Sequence, residues 1–571
     1  MSAPSLSKRL RRVWKAKRLR DRMIVLSLGA LASAFLSDLL SRTAGLSFVF
    51  CFIALVPWLV AQERALRYRD AALAGLFMSV AFVAFVFPWF PEAVAAYVGT
   101  SSLLIWPLFL LLAPLLQPQF LVFALVRFAV RRTAPPEASL SGSLTASFVA
   151  SLAAAAAYVG VELVFPKLFF DTLALGLHPS LYLRQAADLA GVHGLSFVLI
   201  LVNEGLALSL LRLASRPRGA RISPAVLPAA LAFAAVLALL GYGRARLAAL
   251  ARGGERPAIT VGIVQANITN YDKLRAEKGA YETVRTVLVT HFALSDEIRA
   301  RSTPDLLVWP ETVYPTTFGA PKSEAGAAFD EEIGAYVAKT GVPLVFGAYE
   351  GAGDDEYNAA FFLTPGSDGK VERASYRKHM LFPLTEWVPE ALDSAALRSA
   401  LPWAGRWKRG PGAEVVHIGL AGRDDLLVAP LICYDVVFPG PVAEAAAKGA
   451  DLLLTLSNDS WFPDGRAPRL HLISAAFRSI ETRLPQVHAT NSGISAFISP
   501  DGEILARTRF DARETLAHRI LRGPHRVTPM VAFGFLLAPL LLALSALLVT
   551  RAFWLRARLV NRGASPGRTS E

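Results

Sequence analysis

A glutamate, a lysine and a cysteine, each beside an apolar run, are the residues of this sequence best suited to acyl chemistry. Glu311 closes the run Leu306–Pro310, Lys378 sits in the polar stretch Tyr376–Met380, and Cys433 ends the β-rich run Leu426–Ile432. Brought together, the carboxylate would take the thiol proton and later return it. The ammonium would stabilise a developing oxyanion, and the sulfur would attack a carbonyl. Cys433 also stands at a strand end, and the helix-compatible segment Val442–Lys448 follows the Pro439–Pro441 break, so main-chain N–H groups are near to stabilise a thiolate. Each residue has a plainer alternative: an inert buried thiol, a turn-capping carboxylate, a solvated lysine. A fourth polar turn, Ser457–Phe462, follows another apolar run.

The elements that must position these groups lie between Glu255 and Pro524, where charge, Gly and Pro return. Candidate strands are Ile259–Gln265, Leu306–Trp309, Pro343–Ala348, Ala359–Leu363, Leu426–Ile432, Leu452–Leu456 and Ile494–Ile498. Candidate helices are Tyr281–Arg299, Ala325–Thr340, Val442–Lys448 and Leu470–Arg483. Strands alternating with helices in one domain-sized block predict a layered α/β domain.

The rest of the chain is of another kind. Of 571 residues, 54% are hydrophobic and 18% charged, and the mean hydropathy of +0.42 points to membrane spans. Apolar segments of spanning length are Met23–Leu40, Leu46–Ala61, Ala71–Phe90, Leu103–Val130, Leu144–Phe165, Val192–Leu213, Ala225–Tyr242 and Val531–Thr550, about eight spans. The second is short and the fourth long, which allows tilt or a re-entrant piece. The expected organisation is a basic cytoplasmic arm (1–22), a membrane domain of about seven spans (23–242), the α/β domain (255–524), a last span (531–550) and a cytoplasmic tail (551–571), disordered after Arg562.

The net charge of +14 could suggest nucleic acid, but Arg and Lys cluster beside the apolar runs, the pattern of membrane topology. With a cytoplasmic N-terminus, the inside turns carry Arg64, Arg67 and Arg69, then Arg131 and Arg132, then Arg216, Arg218 and Arg221. Lys167, Arg184, Arg244 and Arg246 are exceptions on the outer side. This places the α/β domain outside the cytoplasm, in the periplasm of a two-membrane bacterium. The two cysteines, Cys51 and Cys433, make no disulfide framework. The nine histidines lack ligand spacing, so no metal is expected, and no cofactor either.

The order Trp309-Pro310-Glu311, then Lys378 with Pro383 and Glu386 downstream, then Ile432-Cys433-Tyr434-Asp435 resembles the nitrilase (carbon–nitrogen hydrolase) superfamily. With apolar spans on both sides, the chain resembles the apolipoprotein N-acyltransferase family; the stretches Val264–Ile268, Ser457–Phe462, Ala489–Ser495 and Gln185–Phe197 are similar to it as well. The resemblance implies a multi-span helical membrane domain plus an extracytoplasmic nitrilase-like αββα sandwich. It implies Glu311 as general base, Lys378 as oxyanion stabiliser and Cys433 as nucleophile. Glu386, Tyr434 (through its N–H) and Asp435 would support the site, and Trp461, Phe462 and Asn358 would meet substrate, the first two on a mobile arm. Departures from the family pattern are Thr385 for Gly, Asp435 for Glu, Pro463 for Gly and His488 for Arg. Asp435 keeps the charge but shortens the reach, and Pro463 stiffens the arm.

The implied reaction is a ping-pong acyl transfer through a Cys433 thioester. The donor would be a membrane phospholipid, phosphatidylethanolamine being the one expected, and the acceptor the amine of a diacylglyceryl-cysteine apolipoprotein. Alternatives are a membrane-tethered amidase, a diverged paralogue acylating another amine, and a transporter with an outer binding domain. The last is opposed by the few ionisable residues in or beside the spans, Asp38, Glu162, Asp188 and Glu204.

Overall fold

The computed structural model describes residues 6–133, 144–165, 167–169, 171–216, 221–252, 256–269, 271–366, 369–523 and 527–563. The tail beyond Gly563 lies outside the described residues. Helix α1 (Leu6–Ser41) runs through the basic arm into the first span without a break. There follow α2 (Val56–Ala61), α3 (Tyr68–Val86), α4 (Trp89–Val98), α5 (Ser102–Leu116), α6 (Pro118–Thr133), α7 (Leu144–Val164), α8 (Ala187–Ala214) and α9 (Ser223–Ala251). Among the described residues seven helical segments are long and apolar enough to cross a membrane, or eight if α5 and α6 count as one bent span. The molecule is a multi-pass membrane protein.

Two spans depart from straight helices for visible reasons. The short second segment begins as a 3-10 turn (Gly45–Phe52) before α2. The long fourth segment breaks at Gln117, where Pro118 cannot continue the hydrogen-bond ladder, and α5 and α6 meet at 48°. Two carboxylates inside the bundle are paired: Glu204 Oε1 accepts from Arg127 Nε at 2.5 Å, and Asp188 Oδ2 from Nη2 of Arg483, a residue of the second domain, at 2.7 Å.

The second domain is built from β1 (Ala258–Gln265), α10 (Tyr271–Ser302), β2 (Leu306–Val308), β3 (Tyr314–Thr317), α11 (Glu324–Thr340), β4 (Leu344–Ala352), β5 (Asp355–Pro365), β6 (Val371–Arg377), α12 (Ala395–Ala400), β7 (Val416–Ile418), β8 (Leu426–Ile432), α13 (Pro439–Ala447), β9 (Leu452–Ser457), α14 (Arg466–Thr482), β10 (Gln486–Thr490), β11 (Ala496–Ile498), β12 (Ile504–Arg507) and β13 (Glu514–Leu521). The short α15 (Pro529–Phe533) then leads to the last membrane helix, α16 (Leu537–Gly563).

The strands form two sheets, ordered β13-β1-β2-β4-β5-β6, with β3 on β4, and β12-β11-β10-β9-β8-β7. In each the central three strands are parallel: β1-β2-β4 and β8-β9-β10. One apolar layer joins the inner faces, with Val261, Val308 and Phe362 of one sheet and Val428, Leu454 and Val487 of the other. A second lies between the first sheet and α10 and α11 (Leu288, Ile333), a third between the second sheet and α13 and α14 (Val442, Leu472). The layers run helix, sheet, sheet, helix, the nitrilase-like αββα sandwich.

The two domains share a core. Ile473, Phe477 and Ile480 of α14 belong to the same apolar cluster as Trp58, Phe120 and Leu199 of the bundle. Polar contacts fix the docking: Gly191 (φ +71°) interrupts α8 and frees the Val192 N–H, which donates to Glu481 Oε1 at 2.8 Å. Arg483 donates to Gln185 Oε1 at 2.6 Å.

Candidate active site

The parallel strands of both sheets end on one side, where α/β folds gather their functional groups. Glu311 follows β2, Lys378 follows β6, Cys433 follows β8, and Asn458 and Asp459 follow β9. Two glycines let the loops close tightly. A Cβ on Gly347 would lie 2.5 Å from Glu311 Cα, and one on Gly410 would lie 2.0 Å from the Arg377 carbonyl oxygen. The Gly410 N–H donates to the Lys378 carbonyl at 2.8 Å.

Lys378 Nζ donates to Glu386 Oε1 at 2.7 Å and to Glu311 Oε1 at 3.1 Å. Asn358 Nδ2 reaches the same two oxygens, at 3.3 Å and 2.7 Å respectively. The remaining carboxylate oxygens accept main-chain N–H bonds: Glu311 Oε2 from Asn458 at 2.8 Å, Glu386 Oε2 from Phe382 at 2.7 Å. Lys378 is 2% exposed and Glu311 5%, so bulk water barely screens these charges. Burial opposes the Lys378 ammonium, but Glu311, Glu386 and the Cys433 sulfur hold it well above the ordinary lysine range.

Cys433 takes φ +47°, a left-handed backbone at a strand-to-turn junction that costs a non-glycine residue on the order of 1–3 kcal/mol. Ile432 pairs with Leu456, which sets Cys433 beside Ser457. Burial pushes the thiol pKa well up; the negative charges of Glu311 and Asp459 add to this, while Lys378 and a hydrogen bond with Ser457 oppose it. The resting sulfur therefore keeps its proton, and a base must remove it during attack.

Asp435 has the reach its position needs. Its Oδ2 accepts from the Ile432 N–H at 2.9 Å and the Tyr376 hydroxyl at 3.0 Å, and its Oδ1 from the Met380 N–H at 2.7 Å. One short carboxylate so ties the strand carrying Cys433 to both sides of Lys378. Burial pushes its pKa up to about 6, against these hydrogen bonds and the charge of Lys378.

A network that motif reading does not single out lies on the other side of Cys433. His471 Nε2 is 3.0 Å from the Cys433 carbonyl oxygen, and its Nδ1 lies 3.6 Å from Asp459 Oδ1, which accepts the Ser457 hydroxyl at 2.7 Å. Burial opposes charge on both groups, yet each favours the charge of the other: the Asp459 pKa is lowered and that of His471 raised. His488 packs edge-on to His471 at 5.1 Å, and burial holds its pKa down to about 3. The signal in the sequence was weak, since His471 sits within a helix and meets Asp459 only after a change of direction.

Tyr434 points its hydroxyl away, at the Leu168 carbonyl of the membrane domain, 2.7 Å distant. Trp461 and Phe462 line the domain boundary: Trp461 lies edge-on to Phe382 at 5.6 Å, and Phe462 edge-on to Trp89 of α4 at 5.4 Å. Trp387 and Trp407 are committed within their own domain, under Arg409 and against Tyr349.

Residues 260–524 match the family model described as carbon–nitrogen hydrolase, and residues 33–204 the apolipoprotein N-acyltransferase N-terminal domain. The chain is similar to the apolipoprotein N-acyltransferase of Bdellovibrio bacteriovorus, 32% identical over 56% of this chain and 58% of that one. It is also similar to apolipoprotein N-acyltransferase 2 of Treponema pallidum, 30% identical over 61% of this chain and 66% of that one. The matched stretches thus span about three-fifths of the length of these curated relatives. Among solved structures, an amidase from Nesterenkonia sp. AN1 is 19% identical with a TM-score of 0.32, over 45% of this chain and 91% of that one. The two family models follow each other along the chain as the helical bundle and the αββα sandwich do, and over both domains the chain is similar to the apolipoprotein N-acyltransferase family.

Proposed function

We propose that this protein moves a fatty acyl chain from a membrane phospholipid to the N-terminal amine of a diacylglyceryl-cysteine apolipoprotein, by way of a thioester on Cys433. The observation that carries the reading is the buried Glu311–Lys378–Glu386 cluster beside a protonated cysteine, next to an aromatic wall that includes a bundle residue. In the first half-reaction Glu311 takes the thiol proton as sulfur adds to the ester carbonyl. Lys378 and the Tyr434 N–H stabilise the oxyanion, and the carbonyl re-forms as the lysophospholipid leaves with the proton from Glu311. In the second, the lipoprotein amine attacks the thioester, Glu311 takes a proton from it, and the proton returns to the departing sulfur. A thioester is reactive enough for an amine, and the apolar surroundings keep water scarce.

The membrane is the bacterial inner membrane in this reading, with the catalytic domain facing the periplasm. The basic turns at Arg64–Arg69 and Arg131–Arg132 support that orientation. Phosphatidylethanolamine is the proposed donor, and Trp461 and Phe462 the side chains that meet its acyl chain. The test is transfer in mixed micelles: purified protein, phosphatidylethanolamine with a deuterated acyl chain and a synthetic diacylglyceryl-cysteine peptide. Labelled N-acyl peptide is expected, absent with Cys433→Ala. Release of free fatty acid alone, or hydrolysis of a small amide without lipid transfer, would instead support a tethered amidase.

A further inference from the structure

The segment between α7 and α8 holds a lysine with no side-chain exposure, in the part of the bundle that faces the candidate site. Lys167 Nζ donates to Glu162 Oε1 at 3.1 Å and to the Asp171 carbonyl at 2.8 Å, with the Asp171 carboxylate 3.5 Å away. Glu162 Oε2 accepts the Thr172 hydroxyl at 3.0 Å, and Asp171 accepts Gln117 Nε2 at 3.2 Å, at the bend between α5 and α6. Ionised groups buried in a membrane bundle are costly, and an apolar cluster would hold two helices together more cheaply. What charges supply is a fixed geometry for Lys167, Leu168 and Phe169.

That segment touches the site. The Leu168 carbonyl accepts the Tyr434 hydroxyl at 2.7 Å, and the Lys167 carbonyl lies 3.1 Å from it. The Phe169 ring stacks on Phe87 at 4.7 Å and packs at 5.3 Å on Trp89, the ring that carries Phe462. The nucleophile's neighbour and the aromatic wall are therefore held by the same few residues.

We propose that Glu162, Lys167 and Asp171 are positioning residues: they lock the segment that grips Tyr434, so the membrane domain sets the placement of Cys433. The device rests on the acyl-transfer reading for its purpose, but not for its test. Two readouts separate them, both on full-length protein in phosphatidylethanolamine micelles: the rate of Cys433 acylation by intact mass, and the rate of Cys433 alkylation by iodoacetamide, Cys51 being buried. The variants are Lys167→Met, Tyr434→Phe and the double variant, with Glu162→Gln and Gln117→Ala as milder probes should Lys167→Met fold poorly.

Lys167→Met and Tyr434→Phe should each slow acylation by about tenfold to a hundredfold, as a displacement of about 1 Å at a reacting group does, and should change the alkylation rate in step. The double variant should be no slower than the slower single, because both break one linkage. Wild-type rates in Lys167→Met, or in both milder probes should it not fold, would overturn the proposal, as would effects that multiply in the double variant. If wild type never acquires an acyl mass but alkylation still shows the non-additive pattern, acyl transfer fails and the positioning device stands.

Discussion

At the scale of single residues the site divides into groups that would act on substrate and groups that hold those in place. Lys378, with two carboxylates on it, is the group proposed to stabilise the oxyanion formed at Cys433. Lys378→Met should lower turnover by about a hundredfold to a thousandfold, the range for loss of one oxyanion donor, and this is read as kcat in the micelle transfer assay. The Asp459–His471 pair adds a pH dependence whose sign follows from the two shifts. His471, raised above the ordinary 6.5, contributes stability that is full below 6.5 and fades as pH climbs through its elevated value. Asp459, lowered from 3.8, contributes above 3.8 and is lost as pH falls through its depressed value. The melting-temperature gap between wild type and His471→Gln should be widest between pH 4 and 6.5 and close on the alkaline side. The charges that face His471 are Asp459 and, at longer range, Glu311, with neutral His488 beside it.

At the scale of elements, much of the architecture was legible where chemistry and burial coincide. The runs ahead of Glu311, Cys433 and Asn458 read as strands because they are buried on both faces and continuously apolar. β6, β12 and β13 did not, since each sits at the end of a sheet path, is half-buried or exposed along most of its length and lacks a continuous apolar run. β10 (Gln486–Thr490) is wholly buried, yet its Gln486 and Thr490 side chains hydrogen-bond inside the domain and His488 packs on His471, which apolar patterning cannot reveal. The meeting of Lys378 with Glu311 and Glu386 followed from motif order, whereas the roles of Asp459 and His471 needed the turn between β9 and α14. Loops gripped by close backbone contact give a sharper test. Gly410→Ala places a methyl against the Arg377 carbonyl and should destabilise the protein by about 1–3 kcal/mol, seen as a lower melting temperature and a slower Cys433 alkylation.

At the scale of the whole molecule, bundle and sandwich are one body. The shared core around Phe477 and Phe120 and the buried contacts of Arg483 hold the candidate site against the bundle. Arg483→Met, which strands part of the Asp188 charge, should cost about 3 kcal/mol, while Arg483→Met combined with Asp188→Leu should recover some of that loss. Thermal unfolding of the three proteins in the same detergent makes the comparison. In the proposed reaction, a fixed docking suits substrates that arrive by lateral diffusion and would present an ester, then an amine, at one depth beside Trp461 and Phe462.

Intact mass spectrometry of protein purified from membranes decides whether Cys433 carries the acyl group. A fatty-acyl mass is expected that maps to Cys433, is released by hydroxylamine, is passed to added diacylglyceryl-cysteine peptide, and is absent from Cys433→Ala. An unmodified Cys433 after incubation with phosphatidylethanolamine, or transfer activity that survives in Cys433→Ala, would contradict it.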